Sequence, residues 1–335
     1  MDGFCLGKMG TDMAFTLDFP PEIRYTIGTS TKNQRHHLME VSDMRTGVCT
    51  TDFEHEGQPL RTADTLFSVI KGYGFEAVQF AFSSIAETGF VPTGEIEIPA
   101  AIPYAAVVQA DRAAQKYDLP IEVINGTFNM AHPNAEVREE GLRRFAILVD
   151  AASALGAKYI SLCSGSRNAA HLWTWSPEND TAEAWDAMFD TISRAVKLAE
   201  AGGITLAIES EAANIIDTPE NARRVMDEVG SPNLKMILDC ANLFHRGKAH
   251  PENVQAVIGH AFDLFGKDIV IAHGKDIREG DGIDFCGTGK GIVDFAFAAA
   301  RLKETGYKGD MFLHGIYDED DMLRSIAHWK AAMND

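Results

Sequence analysis

A closed eight-stranded β/α barrel, the TIM barrel, is the fold class this sequence predicts, and three observations predict it. Short apolar runs alternate with longer segments of helical spacing, the alternation occurs eight times, and most of the runs are nearly continuous in apolar residues. Continuous runs are expected of parallel strands buried on both faces, and repeated strand–helix alternation is the pattern of parallel α/β folds. The chain has 335 residues, 45% of them hydrophobic, which suits one barrel domain over residues 44 to 335 preceded by an N-terminal extension over residues 1 to 43. Length alone would fit two ordinary domains equally well.

The strands are expected at Arg45–Thr50, Glu76–Phe82, Pro120–Ile124, Lys158–Cys163, Ile204–Glu209, Leu234–Asp239, Asp268–His273 and Asp310–His314. Between them, Val137, Phe145, Leu148, Val149, Ala152 and Leu155 trace one helical face, and Trp185, Met188, Phe189, Ile192, Val196 and Ala199 trace another. Thr181, Thr218 before Pro219, and His250 before Pro251 mark helix starts, while Gly156 and Gly202–Gly203 mark stops. A doubly wound open sheet is the competing arrangement, but its first strand–helix turn often carries a glycine fingerprint that is missing after Val48.

Charge and composition narrow the partners. A net charge of −19 repels phosphate backbones and anionic membranes, so nucleic acid is not expected as a partner. No stretch approaches the roughly 20 apolar residues a membrane span needs, and the N-terminus has no basic segment followed by a sustained apolar run. The five cysteines are scattered without a Cys-x-x-Cys pair, which points away from a disulfide framework or cysteine zinc site and toward a reducing, cytoplasmic setting. The extension would serve as a plug, a mobile arm or a contact in a homo-oligomer.

In such a barrel, chemistry collects where strands end at the C-terminal rim. Four consecutive strands end in Glu209, Asp239, His273 and His314. Two carboxylates and two imidazoles on one rim suit a divalent metal, with Mn²⁺, Zn²⁺, Co²⁺, Fe²⁺ and Mg²⁺ as the candidates. Four ionisable groups buried together would be costly without a cation or protons to neutralise them.

The segments LAIESEAAN (206–214), MILDCANL (236–243), IAHGKD (271–276) and GTGKGIVDF (287–295), with INGTFNMAHPN (124–134) and SLCSGSRN (161–168), resemble the sugar-phosphate isomerase/epimerase family, the xylose-isomerase-like barrels. The resemblance runs in matching order over roughly residues 44 to 330. It implies a metal-dependent isomerase or epimerase of a small sugar or polyol, acting by deprotonation next to a carbonyl, with Glu209, Asp239 and His273 as metal ligands. Glu209 is then also the base. At the strand-eight position the family's second Glu is replaced by His314, expected here as the fourth ligand, which removes the second carboxylate from the substrate's opposite face.

Lys275 is a second catalytic candidate, able to polarise a carbonyl. Asn242, where some members carry His, joins His132, Arg167, Trp173 and Arg278 as substrate-binding candidates, and His171 and Trp175 share the loop of Trp173. The glycines at 287, 289 and 291 would bring backbone N–H groups to a phosphate. Two other readings compete: a metal-dependent dehydratase of the inosose type, and a non-catalytic carbohydrate-binding barrel that has lost its strand-eight Glu. Apurinic endonucleases share the barrel, but the charge opposes an approach to DNA.

Overall fold

Parallel pairing closes the sheet on itself. The computed structural model describes residues 44–55 and 57–334, so the expected extension lies outside the described residues. The strands are β1 (Thr46–Cys49), β2 (Ala77–Phe80), β3 (Ile121–Asn125), β4 (Tyr159–Cys163), β5 (Thr205–Glu209), β6 (Leu234–Asp239), β7 (Ile269–Ile277), β8 (Phe285–Gly287) and β9 (Met311–Leu313). Each barrel strand pairs in parallel with the next, β7 pairs with β9, and β9 returns to β1 with Gly47 opposite Phe312. The barrel therefore has eight strands, and β8 is an addition to it. All eight expected strands appear, with ends that move by a residue or two except at the C-terminal end of β7, which extends four residues further. β7 runs on past His273 because Lys275–Ile277 pair antiparallel with β8, a three-residue strand too short to show a period.

Eight helices follow the strands: α1 (Ala63–Tyr73), α2 (Tyr104–Tyr117), α3 (Ala135–Leu155), α4 (Ala182–Ala201), α5 (Pro219–Val229), α6 (Val254–Phe265), α7 (Phe295–Thr305) and α8 (Met322–Asn334). Thr181 and Thr218 cap as expected, their hydroxyls accepting from Ala184 N and Asn221 N, which satisfies one of the free amides of each first turn. Gly156 ends α3 in the left-handed conformation, and Gly202–Gly203 end α4. At His250 the start comes later, since Pro251–Asn253 form a 3₁₀ turn before α6 and the imidazole caps nothing.

Two apolar layers hold this arrangement. The larger lies between strands and helices. The smaller fills the barrel interior and is made of Cys49, Ala77, Val123, Ala207, Ile237, Ile271 and Phe312, so the barrel is a packed core and not a pore. Phe312 occupies that interior because Gly47 beside it has no side chain; a Cβ there would lie 2.5 Å from the Phe312 ring. At the N-terminal end of the barrel, Arg45 donates to Glu122 and Asp310, both at 2.6 Å, and Lys158 reaches Glu122 at 2.8 Å. The ion pairs close the bottom, and the packed layer above them gives the opposite rim a rigid floor.

Candidate metal and substrate site

Ends of β5, β6 and β7 bring Glu209, Asp239 and His273 together. Their ligand atoms all lie within 4.8 Å of one another, and all three residues are buried. Strand register explains this: Asp239 sits opposite His273 and Glu209 opposite Ile237, so three side chains one strand apart turn onto the same rim. His273 Nδ1 lies 3.4 Å from Glu209 Oε1 and 3.8 Å from Asp239 Oδ2. Its Nε2 lies 2.9 Å from Gln79 Oε1, an amide oxygen that can only accept, so Nε2 carries a proton. In the neutral ring the Nδ1 lone pair then faces two carboxylates, an orientation suited to a shared cation.

Charge balance at the cluster explains the shifted ionisations. Burial would lower the pKa of His273, but the charge of Glu209 and hydrogen bonds to both carboxylates outweigh it and raise it to about 9. Burial opposes ionisation of Asp239, yet the ammonium of Lys275 and the ring of His273 hold its carboxyl below the usual range. For Lys275, burial is again outweighed, by Asp239, Glu209 and Glu211, and its pKa lies above the usual lysine value. Burial pushes Glu211 up to about 7 despite the opposing pull of Lys275. Without a metal, protons on His273 and Lys275 balance the carboxylate pair; a dication would take the place of the His273 proton.

The donors fit a metal. Asp239 Oδ1 accepts from the amides of Ala241 and Asn242, while Asp239 Oδ2 is buried without a hydrogen-bond partner although Lys275 Nζ is 3.3 Å away. Asn242 fixes Glu209 by donating from Nδ2 to Oε1 at 2.7 Å, and its own Oδ1 is unpartnered. Two carboxylates and one imidazole, one carboxylate oxygen orphaned, form an N/O set for a divalent ion.

His314 stands beside the cluster. Its ring lies 5.5 Å from that of His273, centroid to centroid, and it is not among the groups within the 4.8 Å set. Nδ1 lies 3.2 Å from Asp52 Oδ1. The Asp52 carboxylate also accepts from the amides of Gly315 and Ile316. Facing an acceptor, Nδ1 must carry the proton, which leaves Nε2 as the free ring nitrogen.

Above the cluster is a cavity of about 270 Å³, lined by Glu209, His273 and His314 together with Gln79, Glu97, Asn125, Thr127, Ser161, Cys163 and Trp173 among others. Trp173, a substrate-binding candidate from the sequence, is one of these lining residues. Lys275 is not among the lining residues; its Nζ lies 3.3 Å from Asp239 Oδ2 and over the Phe285 ring at 4.1 Å. His132 is also absent from the wall: its ring nitrogens contact the backbone of Asn134 and the carbonyl of Ala169, tying the loop after β3 to the loop after β4. Arg167 donates to Ala131 O, and Arg278 is exposed and paired with Asp284. His171 and Trp175 are exposed.

The glycine-rich turn does not present its amides to a phosphate. Asp276 accepts hydrogen bonds from Ile277, Gly289, Gly291 and Val293, so those N–H groups are spent on a side chain of the protein itself. A Cβ at Gly291 would sit 2.2 Å from Ile277 O, which explains the glycine. Gln79, Glu97, Asn125 and Asp52 are site residues the sequence reading missed. Asn125 carried the same signal as the metal cluster, a polar residue at the end of an apolar strand, whereas Gln79 lies inside β2 and Glu97 and Asp52 lie outside the strands.

With the geometry in place, comparison with known proteins is informative. A family profile described as a xylose isomerase-like TIM barrel matches residues 67–332. The inosose dehydratase of Geobacillus thermodenitrificans (strain NG80-2) is 25% identical over 138 residues, 38% of this chain and 46% of that protein, so the chain spans about half the length of the relative it matches. Among solved structures, a D-tagatose 3-epimerase-like protein superposes with a TM-score of 0.66 at 18% identity, covering 87% of this chain and 97% of its own. A xylose isomerase-like TIM barrel protein from Mycobacterium smegmatis in complex with magnesium gives 0.63 at 17% identity, covering 88% and 97%. At these identities the structural likeness speaks for the fold. The chain belongs to the family of xylose isomerase-like TIM barrels.

Proposed function

We propose that the protein is a divalent-metal-dependent enzyme that removes a proton next to the carbonyl of a small sugar or polyol, as a sugar isomerase or epimerase does. The observation that carries this reading is the buried convergence of Glu209, Asp239 and His273 beneath a cavity of sugar size. A cation held there supplies Lewis acidity toward a substrate carbonyl and its neighbouring hydroxyl. Glu209 lines the cavity and is oriented by Asn242, so it is the base: it takes the carbon-bound proton while the electron pair of that bond moves into the enediolate. The ammonium of Lys275, 3.3 Å from Asp239 Oδ2, keeps Asp239 ionised, and Lys275 is a positioning residue.

A second reading, elimination of a β-hydroxyl as an inosose-type dehydratase performs, has its own support in the pair His314–Asp52. The rim carries one imidazole where the family pattern places a carboxylate, and Asp52 fixes its Nδ1 proton. In this reading Glu209 takes the carbon-bound proton, the electron pair forms the new double bond, and the departing hydroxide leaves as water with a proton from Nε2 of His314 in its imidazolium form, while Asp52 keeps the Nδ1 proton. The inosose dehydratase likeness points the same way. Incubation in D₂O of the Mn²⁺-loaded protein with ketohexoses and with 2-keto-myo-inositol, followed by NMR, tests both. Deuterium entering a ketose without loss of water supports the first reading, and an unsaturated product supports the second. Neither outcome in wild type, or unchanged exchange in Glu209→Gln, overturns the deprotonation chemistry itself.

A further inference from the structure

The cavity wall opposite in character to the metal cluster is built around one carboxylate that the proposed proton transfer does not use. Glu97 follows β2, in a segment pinned to the next loop by an isolated bridge between Ile96 and Phe128. Its Oε1 accepts from Trp173 Nε1 at 2.9 Å and its Oε2 from Asn125 Nδ2 at 3.2 Å. The amide of Asn125 is itself oriented, because its Oδ1 accepts from the amide and the hydroxyl of Thr127. Each Glu97 oxygen is therefore held by one donor, and a carboxylate with about four lone-pair sites retains two for a ligand.

Taking that proposed function as its basis, we infer that Glu97 is the specificity-determining group of this cavity, gripping adjacent hydroxyls of an uncharged, unphosphorylated ketose or ketocyclitol of single-ring size. Size is the first argument: about 270 Å³ is just below the usual range of ligand pockets, about 300 to 1,000 Å³. Charge is the second. No lysine or arginine lines the cavity among the described residues; Lys275 is spent on Asp239 and Arg278 on Asp284. The two carboxylates of the cluster would match a dication, so Glu97 faces the cavity with no cation to answer it. Burial raises its pKa, opposed by the bonds from Trp173 and Asn125, and neither protonation state offers positive charge to a phosphate. The turn at 287–291, the other place where a phosphate would have docked, is closed by Asp276. Chemistry is the third: two parallel acceptors fit two neighbouring O–H donors, and Trp173, its N–H committed to Glu97, is held as an apolar face for the ring carbons.

Calorimetry on the full chain loaded with Mn²⁺ tests this, with D-fructose, D-tagatose and 2-keto-myo-inositol compared against fructose 6-phosphate and tagatose 6-phosphate. The expected result is binding of at least one uncharged compound, with the phosphate esters at least tenfold weaker. Glu97→Gln, which keeps size and fold, should weaken the uncharged ligand at least tenfold with Mn²⁺ affinity unchanged. Phosphate esters that bind as tightly as their parents, failure of every uncharged compound, or wild-type sugar affinity in Glu97→Gln would each overturn the inference. Mn²⁺ titration of the wild type separates it from the proposed function. A chain that ignores metal yet selects uncharged ketoses through Glu97 sinks the metal chemistry and leaves this inference standing.

Discussion

Replacing Asp239 by Asn tests the cluster by removing one charge and almost no volume. Asp239 Oδ2 is buried and unbonded, with Lys275 Nζ at 3.3 Å and His273 Nδ1 at 3.8 Å. An asparagine there faces a buried ammonium with a neutral amide. Breaking a buried ion pair by removing one partner costs about 3–5 kcal/mol; because Glu209 and Glu211 still face Lys275, the lower end applies. At roughly 1.5 °C per kcal/mol for a chain of this size, from an unfolding entropy of about 2.1 cal/mol/K per residue, about 3 kcal/mol lowers the metal-free melting temperature by about 4–5 °C. Metal adds the decisive contrast. Wild type at a hundredfold excess of Mn²⁺ over its Kd gains about 2.7 kcal/mol, or about 4 °C by the same conversion, while Asp239→Asn gains almost nothing. Adding Lys275→Met to Asp239→Asn removes the stranded cation and should recover much of the metal-free loss. Thermal denaturation by circular dichroism with and without MnCl₂ measures all five states. An Asp239→Asn protein that keeps the wild-type metal shift refutes the ligand assignment, and one that melts like wild type without metal refutes the account of the buried pair.

Three further outcomes are expected. His314→Ala should keep Mn²⁺ affinity within about threefold, since a roughly threefold change is under 1 kcal/mol, while losing turnover at least tenfold; a hundredfold loss of metal affinity in titration would instead make His314 the fourth ligand. Arg45→Met should destabilise the barrel by about 1 kcal/mol at pH 7, and the gap should close in acid. Burial would raise the pKa of Glu122, but hydrogen bonds from Lys158 and Arg45 outweigh it and hold it low; a depressed folded pKa gives stability that is present above the unfolded value of about 4.3 and is lost as pH falls through the folded value. Urea midpoints at pH 7 and pH 3 measure this, and a gap that widens in acid would contradict it. Asp276→Asn puts an amide N–H₂ against backbone donors now served by a carboxylate and should cost about 2–3 kcal/mol, read as a lower urea midpoint; an unchanged midpoint would show that the turn does not depend on these bonds.

Periodicity and strand ends are properties of residues close in sequence, and they made the barrel legible. Eight apolar runs, the caps at Thr181 and Thr218, and the polar terminations Glu209, Asp239 and His273 could be read from order and spacing alone, because parallel strands of one barrel must end at one rim. Tertiary structure decided the rest. Whether His314 joins the metal ligands or pairs with Asp52 depends on the closure of β9 onto β1, which joins residues separated by 262 positions. Lys275 and His132 look like substrate groups in sequence, but depth in the fold commits one to Asp239 and the other to the backbone of two loops. Glu97 follows no strand pattern; the bridge from Ile96 to Phe128 carries it to the cavity. The glycines at 287, 289 and 291 read as a phosphate cradle in sequence, and only the path of the chain around Asp276 shows that the amides of Gly289 and Gly291 point at its carboxylate. Local periodicity is set by backbone geometry over a few residues, whereas partners of polar side chains are chosen by which distant segments the closed barrel brings within hydrogen-bonding reach.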